Sequence, residues 1–175
     1  MNINYNRGII AILKNHVQHY DHVRYWKCRE KCIVSPPKCS KIIYFYFKIR
    51  ALIYLWYVKR CDAFNCASTG ADLFAGAQFK TPPRLPHGLN GIIINPYAKI
   101  GANCKIFHQV TIGDDGKSMY NAPIVGDNVI IGAGAKLIGK ICIGNNVFIG
   151  AGAIVVTDIP DNAVVVGPKA SYKVK

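Results

Sequence analysis

Negative charge is scarce in this chain. Its 175 residues hold 9 Asp+Glu against 22 Lys+Arg, a formal net charge of +13. Charge of either sign is low at 18%, while 51% of residues are hydrophobic, which excludes an intrinsically disordered chain. Glycine, at 16 residues, is too sparse for a collagen-like repeat. The longest apolar run, Ile42 to Val58, sits at the short limit for a membrane span and carries Lys48 and Arg50 at its middle, which argues against spanning. The 7 cysteines are odd in number, so a closed disulfide framework is not expected. Cys28, Cys32 and Cys39 lack a fourth ligand at a zinc spacing, so no metal is expected either. Residues 1–20 interleave Asn, Arg, Lys and His with apolar residues, unlike a secretory leader; a cytoplasmic chain with reduced thiols is the expectation.

The basic excess is uneven. Residues 1–70 carry 12 Lys+Arg and 3 Asp+Glu, whereas residues 71–175 carry 10 and 6. No base-reading motif accompanies it, so nucleic acid is not an expected partner. The chain divides into a basic, aromatic, α-helical segment (1–66) and a repeat domain (67–175). The stretch Ile42–Val58 is expected to be a helix packed against the second domain or a partner subunit. The alternative is peripheral membrane contact through 38–60, where Lys38, Lys41, Lys59 and Arg60 flank the aromatics.

The repeat sets the fold. An aliphatic residue returns every six positions at Ile94, Ile100, Ile106 and Ile112, then at Val125, Ile131, Leu137, Ile143, Ile149 and Val155. Glycine follows it at Gly101, Gly113, Gly126, Gly132, Gly144 and Gly150, and small or β-branched residues stand four places after it. A period of six is neither helical nor a simple strand alternation. It predicts short strands joined by tight turns, three to a coil, with the aliphatic residue stacked inward and glycine accepting the turn geometry. Between Ile112 and Val125 the register breaks at GDDGKSMYNAP, an excursion loop that is either of the kind that carries function on a rigid scaffold or a tolerated surface insertion.

The repeat domain holds two histidines, His87 and His108. His87 stands in Leu85-Pro86-His87-Gly88-Leu89-Asn90-Gly91, a turn rather than a strand, where an imidazole is displayed and can serve as a general base. Asp72 lies fifteen residues earlier, a little less than one circuit of the coil. It either orients that imidazole or binds the amides of its own turn. His108 is placed outward, lining the same cleft or exposed to solvent or a neighbouring subunit. Two histidines do not make a three-histidine zinc site.

The hexads resemble the hexapeptide-repeat acyltransferase superfamily. Ala71-Asp72-Leu73-Phe74-Ala75-Gly76-Ala77, Leu85-Pro86-His87 and Gly91-Ile92-Ile93-Ile94 resemble its serine O-acetyltransferase branch. That resemblance, spanning Ala71 to Lys175, implies a mainly β chain folded as a left-handed parallel β-helix; general connection rules alone favour the opposite hand. It implies transfer of acetyl from acetyl-CoA to L-serine in a direct ternary complex, with O-acetylserine as product. His87 is then the base and Asp72 its orienting partner. Gly113, Lys117, Ala133, Ala151 and Lys169 fall at cofactor-binding positions, and His108 and Asn121 at substrate-binding ones. A homotrimer or a dimer of trimers is implied, with acetyl-CoA between neighbouring subunits and no metal.

The chain departs from the branch in its N-terminal segment, which stands in place of the large helical domain of the long members, and at three further places. Pro86 stands where the family has an Asp before the catalytic His. Asn121-Ala122 replaces an Arg-His pair that holds the amino acid, and the isoleucine-ended tail that docks cysteine synthase is replaced by Tyr172-Lys173-Val174-Lys175. Losing a cation for the serine carboxylate opens the acceptor to a sugar hydroxyl or amine of a surface polysaccharide.

Overall fold

The computed structural model describes residues 20–36 and 40–167. Helix α1 (His22–Ile33) starts at Asp21, whose Oδ1 accepts the Arg24 N–H at 2.7 Å. Helix α2 (Lys41–Phe64) follows. A two-residue hairpin, β1 (Ala71–Asp72) with β2 (Ala75–Gly76), leads into strands of two or three residues stacked in three parallel sheets.

One face of the coil stacks β4 (Ile93–Ile94), β7 (Thr111–Gly113), β10 (Lys136–Ile138) and β13 (Ile154–Val155). The second stacks β3 (Gln78–Phe79), β5 (Lys99–Ile100), β8 (Ile124–Val125) and β11 (Cys142–Ile143). The third stacks β6 (Lys105–Ile106), β9 (Ile130–Ile131), β12 (Phe148–Ile149) and β14 (Val164–Val165). Isolated parallel bridges extend the ladders: Ser68 to Ile93, Arg84 to Lys105 and Ile143 to Ile159.

The predicted inward positions are the core. All ten aliphatic residues, Ile94 to Val155, are no more than 3% exposed, and Ala98, Cys104, Val110, Val129, Ala135, Val147 and Ala153 fill the space between them. The turns, however, work differently from the expectation. Left-handed backbone falls three places after the aliphatic residue, at Asn103, Asn128, Asn146 and Asn162 (φ 56–60°) on one corner and at Gly134 and Gly152 on another. Asparagine tolerates that conformation, and its amides form a ladder: Asn128 donates to Asn146 at 3.1 Å and Asn146 to Asn162 at 3.1 Å.

The glycine after the aliphatic residue answers to close approach instead. Asp161 of the next coil folds over Gly144 and accepts the Asn145 N–H at 2.7 Å, and a Cβ on Gly144 would lie 2.3 Å from that carboxylate oxygen. Asn145 and Asp127 repeat the arrangement, accepting from Asp127 N and Ala102 N at 2.8 Å each.

The helices close the first coil through a second core of Tyr20, Tyr25, Trp26, Cys32, Val58, Cys61, Ala71 and Leu89. A polar chain crosses it. Arg29 Nε donates to Thr69 Oγ1 at 3.3 Å, Thr69 and Tyr25 hydroxyls meet at 2.6 Å, and the Tyr25 hydroxyl donates to Asp62 Oδ1 at 2.6 Å. Burial pushes the Asp62 carboxyl up to about 6, although the Tyr25 hydroxyl opposes that shift. The folded state therefore holds a proton that the unfolded chain releases near pH 3.8. Stability from this group is complete below pH 3.8 and is lost as the pH rises through about 6. That amounts to about 3 kcal/mol across the interval, at roughly 1.36 kcal/mol per pH unit of displacement. In Asp62→Asn this component disappears, so urea melts at pH 4 and pH 7.5 converge relative to the parent; an unchanged pH dependence contradicts the assignment.

Helix α2 is longer than the apolar run suggested, and its burial is confined to the C-terminal half; nearer its start the Tyr44 ring meets Phe74 of the β1–β2 hairpin at 6.3 Å. Residues 41–50 are exposed on every side, and only Ala51, Val58, Cys61 and Asp62 are buried. The reason is reach: α1 is half the length of α2 and covers only its C-terminal half.

Candidate active site

Sheet register brings the two repeat histidines together. Arg84 pairs with Lys105, and His87 and His108 each stand three residues further on, at the corner between the third face and the first. Their Nδ1 atoms are 2.6 Å apart and their ring centroids 4.6 Å apart. Phe107 meets the His87 ring edge-on at 5.7 Å, and Lys105 Nζ sits 4.8 Å over the Phe107 ring. His87 is exposed and His108 half-buried, so the pair is open to solvent.

The same corner continues down the helix as a track of small residues. Gly134 N–H donates to the His108 carbonyl at 3.0 Å, and Gly152 N–H to the Ala133 carbonyl at 2.8 Å, so Ala133 and Ala151 lie beneath His108 in successive coils. A Cβ at Gly134 or Gly152 would meet nothing within 4 Å. The histidine pair therefore heads a smooth, open edge.

Asp72 is not part of this cluster. It stands in the β1–β2 hairpin, between the Ser68 bridge on the first face and β3 on the second, and its Oδ1 accepts the Leu73 N–H at 2.7 Å. Among the described residues no hydrogen bond joins it to His87. Gly113 ends β7, and Lys117 and Asn121 belong to the excursion loop that leaves the corner between the first and second faces. The Asn121 amide donates to both Asp115 oxygens, at 3.2 and 3.0 Å, and Asp115 also accepts the Lys117 N–H at 3.0 Å. These backbone and amide donors hold the Asp115 carboxyl below its usual range. Within one chain, the loop and the histidine corner are on different edges. Lys169 lies outside the described residues. No cluster of three metal-ligating side chains occurs among the described residues.

The pairing of His87 with His108 was open to sequence reasoning and missed there. Their separation of 21 residues equals that between the register partners Gln78 and Lys99, one eighteen-residue coil lengthened by the prolyl turn.

Comparison with known proteins agrees with this coil. Residues 122–157 match the family described as bacterial transferase hexapeptide (six repeats). The coil of this chain contains that match. It is similar to proteins named serine acetyltransferase: one from Helicobacter pylori is 38% identical over 103 residues, 58% of this chain and 60% of that protein. Another, from Mycobacterium tuberculosis, is 44% identical over 100 residues, 57% of this chain and 43% of that one. The chain thus spans about half the length of these curated relatives. The solved serine acetyltransferase of Brucella abortus in complex with coenzyme A superposes with a TM-score of 0.60 at 26% identity, covering 95% of this chain and 56% of that chain. With these neighbours the hexapeptide coil is a left-handed parallel β-helix, preceded by a short α-helical segment.

Proposed function

We propose that this protein is an acetyl-CoA-dependent O-acetyltransferase acting on L-serine, with O-acetylserine and coenzyme A as products. The observation that carries this reading is the histidine pair at the head of an open glycine–alanine edge. Its similarity to serine acetyltransferases, one of them solved with coenzyme A, supplies the reaction.

His87 is the base. For its Nε2 to accept a proton, its Nδ1 must carry the hydrogen, and His108 Nδ1 then accepts that hydrogen at 2.6 Å. His87 Nε2 takes the acceptor hydroxyl proton as the oxygen attacks the thioester carbonyl. The tetrahedral adduct collapses with loss of the C–S bond, and the proton passes from Nε2 to the departing thiolate. His108 thus fills the positioning role that family resemblance gives to Asp72. Ala133 and Ala151 offer a low edge on which an extended pantetheine arm lies. Gly113 and Lys117 reach that arm from a neighbouring copy, since in one chain they occupy another corner. A homotrimer or dimer of trimers meets that requirement. Exposed Ile93, Ile124, Phe148 and Ile154 on the coil faces suit subunit packing. The reading divides the chain at residues 66 and 67 and places it in the cytoplasm, with no nucleic-acid partner.

A sugar acceptor is favoured by one observation. Asn121 stands where the family holds the amino-acid carboxylate with a cation, and its amide is engaged by Asp115. Thiol release from acetyl-CoA, measured with L-serine and with a panel of sugars and amino sugars, decides between them. Serine-dependent release at least tenfold above the best sugar is expected. Turnover confined to a sugar replaces serine as acceptor, and no turnover with any acceptor overturns the enzyme reading.

A further inference from the structure

Among the described residues, nothing is packed on the outward side of α2. Taken at 100° per residue, the buried Ala51, Val58 and Asp62 define its inner side. Directly opposite run Ile42, Phe45, Ile49, Ile53 and Trp56, of which Ile42 is 82% exposed, Phe45 63%, Ile53 61% and Trp56 64%. Lys41, Lys48 and Lys59 fall in one line along a flank of this stripe, and Arg50 falls on the other flank. Arg50 lies against the Tyr46 ring at 5.7 Å, and Arg60 against Trp56 at 5.6 Å. The only carboxylate on the helix is Asp62, which is buried.

We infer that α2 is an interfacial anchor that lies in the headgroup region of an anionic lipid bilayer. Three features choose this occupant. First, the exposed surface of α2 carries five cations (Lys41, Lys48, Arg50, Lys59 and Arg60) and no carboxylate, so its charge complements an anionic surface. A second copy seated on the same stripe would set those cations against each other. Second, the side chains are the types that suit a boundary between hydrocarbon and water: aliphatics outward, Trp and Tyr beside them, and lysines whose stems lie along the apolar stripe while their ammonium groups reach the phosphates. Third, no described helix is long and apolar enough to cross a membrane, so a bilayer-bound α2 is one that lies along the surface rather than through it. At about 1.5 Å per residue, its exposed first three turns present a stripe on the order of 15 Å long. The inference is independent of the acetyl-transfer reading, because none of these residues belongs to the histidine corner.

The test is co-sedimentation of the full chain with vesicles of phosphatidylglycerol and phosphatidylcholine, against phosphatidylcholine alone. Binding to the anionic vesicles is expected to be at least tenfold tighter and to weaken with salt. A Phe45→Ser/Ile49→Ser/Ile53→Ser variant and a Lys41→Gln/Lys48→Gln/Lys59→Gln variant, both altered only at exposed positions, should each lose at least tenfold. Thiol release and far-ultraviolet circular dichroism should stay at parental levels. Equal binding to both vesicle types, no binding by the parent chain, or unchanged binding by both variants overturns the inference. So does a fall in oligomeric mass for the serine variant without loss of lipid binding, which assigns the stripe to a second copy.

Discussion

His87→Ala lowers acetyl transfer about a thousandfold, with the Michaelis constant for acetyl-CoA little changed. A positioned general base contributes on the order of 10² to 10⁴ in rate. The His87 ring meets His108 and Phe107, one coil before the small-residue edge begins at Ala133, so its removal is expected to leave the thioester arm's track in place. Initial rates of thiol release over a range of acetyl-CoA concentrations measure it. A loss confined to the Michaelis constant, with the turnover number intact, removes His87 from the chemistry.

The neighbouring positions sharpen that result. His108 touches the base through Nδ1, so His108→Ala should lower the turnover number by about ten- to a hundredfold and leave acetyl-CoA binding unaltered. His108→Asn, whose amide oxygen can accept the same hydrogen, should recover part of the loss. A His108 that only packs would show no such rescue, and its pH–rate profile would match the parent's. Asp72→Asn keeps an oxygen for the Leu73 N–H and is expected to keep most activity. If it falls as far as His87→Ala, the carboxylate reaches the imidazole during turnover, and Asp72 is the positioning residue after all.

The unequal legibility of these features in the sequence follows from how far each interaction reaches. A hexad is a local pattern: Ile94, Ile100 and Ile106 repeat because each meets the coil above, and this periodicity is written directly in the chain. The role of Gly144 was less visible, because the atom that occupies its Cβ position belongs to Asp161 one coil later. The His87–His108 contact was legible only through the length of the intervening coil. For α2, composition announced a helix but could not say which side was covered, because both its inner and outer sides are apolar. The polar chain from Arg29 to Asp62 had no sequence signal: it joins α1, α2 and the first coil across 40 residues or more at Thr69.

That chain is where the largest loss of stability is expected. Arg29→Ala destabilises the fold by about 3–5 kcal/mol, the range for removing one member of a buried charged network. Arg29 is 1% exposed, and its Nη2 donates to the Thr69 carbonyl at 3.0 Å and the Ala77 carbonyl at 2.5 Å. Its guanidinium also stacks 4.6 Å over Phe79 and 5.3 Å from Trp26. Truncation therefore leaves two buried carbonyls unpaired, removes the lid from two rings and opens a void. Burial draws the guanidinium below its ordinary range; an arginine side chain nonetheless stays charged in proteins, so its donors to Thr69 and Ala77 are cationic. Arg29→Met separates the contributions: it keeps the aliphatic stem on Phe79 and loses only the donors, and about half the destabilisation is expected. Urea denaturation at fixed protein concentration, followed by circular dichroism, measures both. If Arg29→Ala unfolds at the parental midpoint, α1 is not fastened to the first coil through this side chain. If Arg29→Met matches the parent while Arg29→Ala does not, packing on Phe79 and Trp26 holds the helix, and the hydrogen bonds to Thr69 and Ala77 add nothing net.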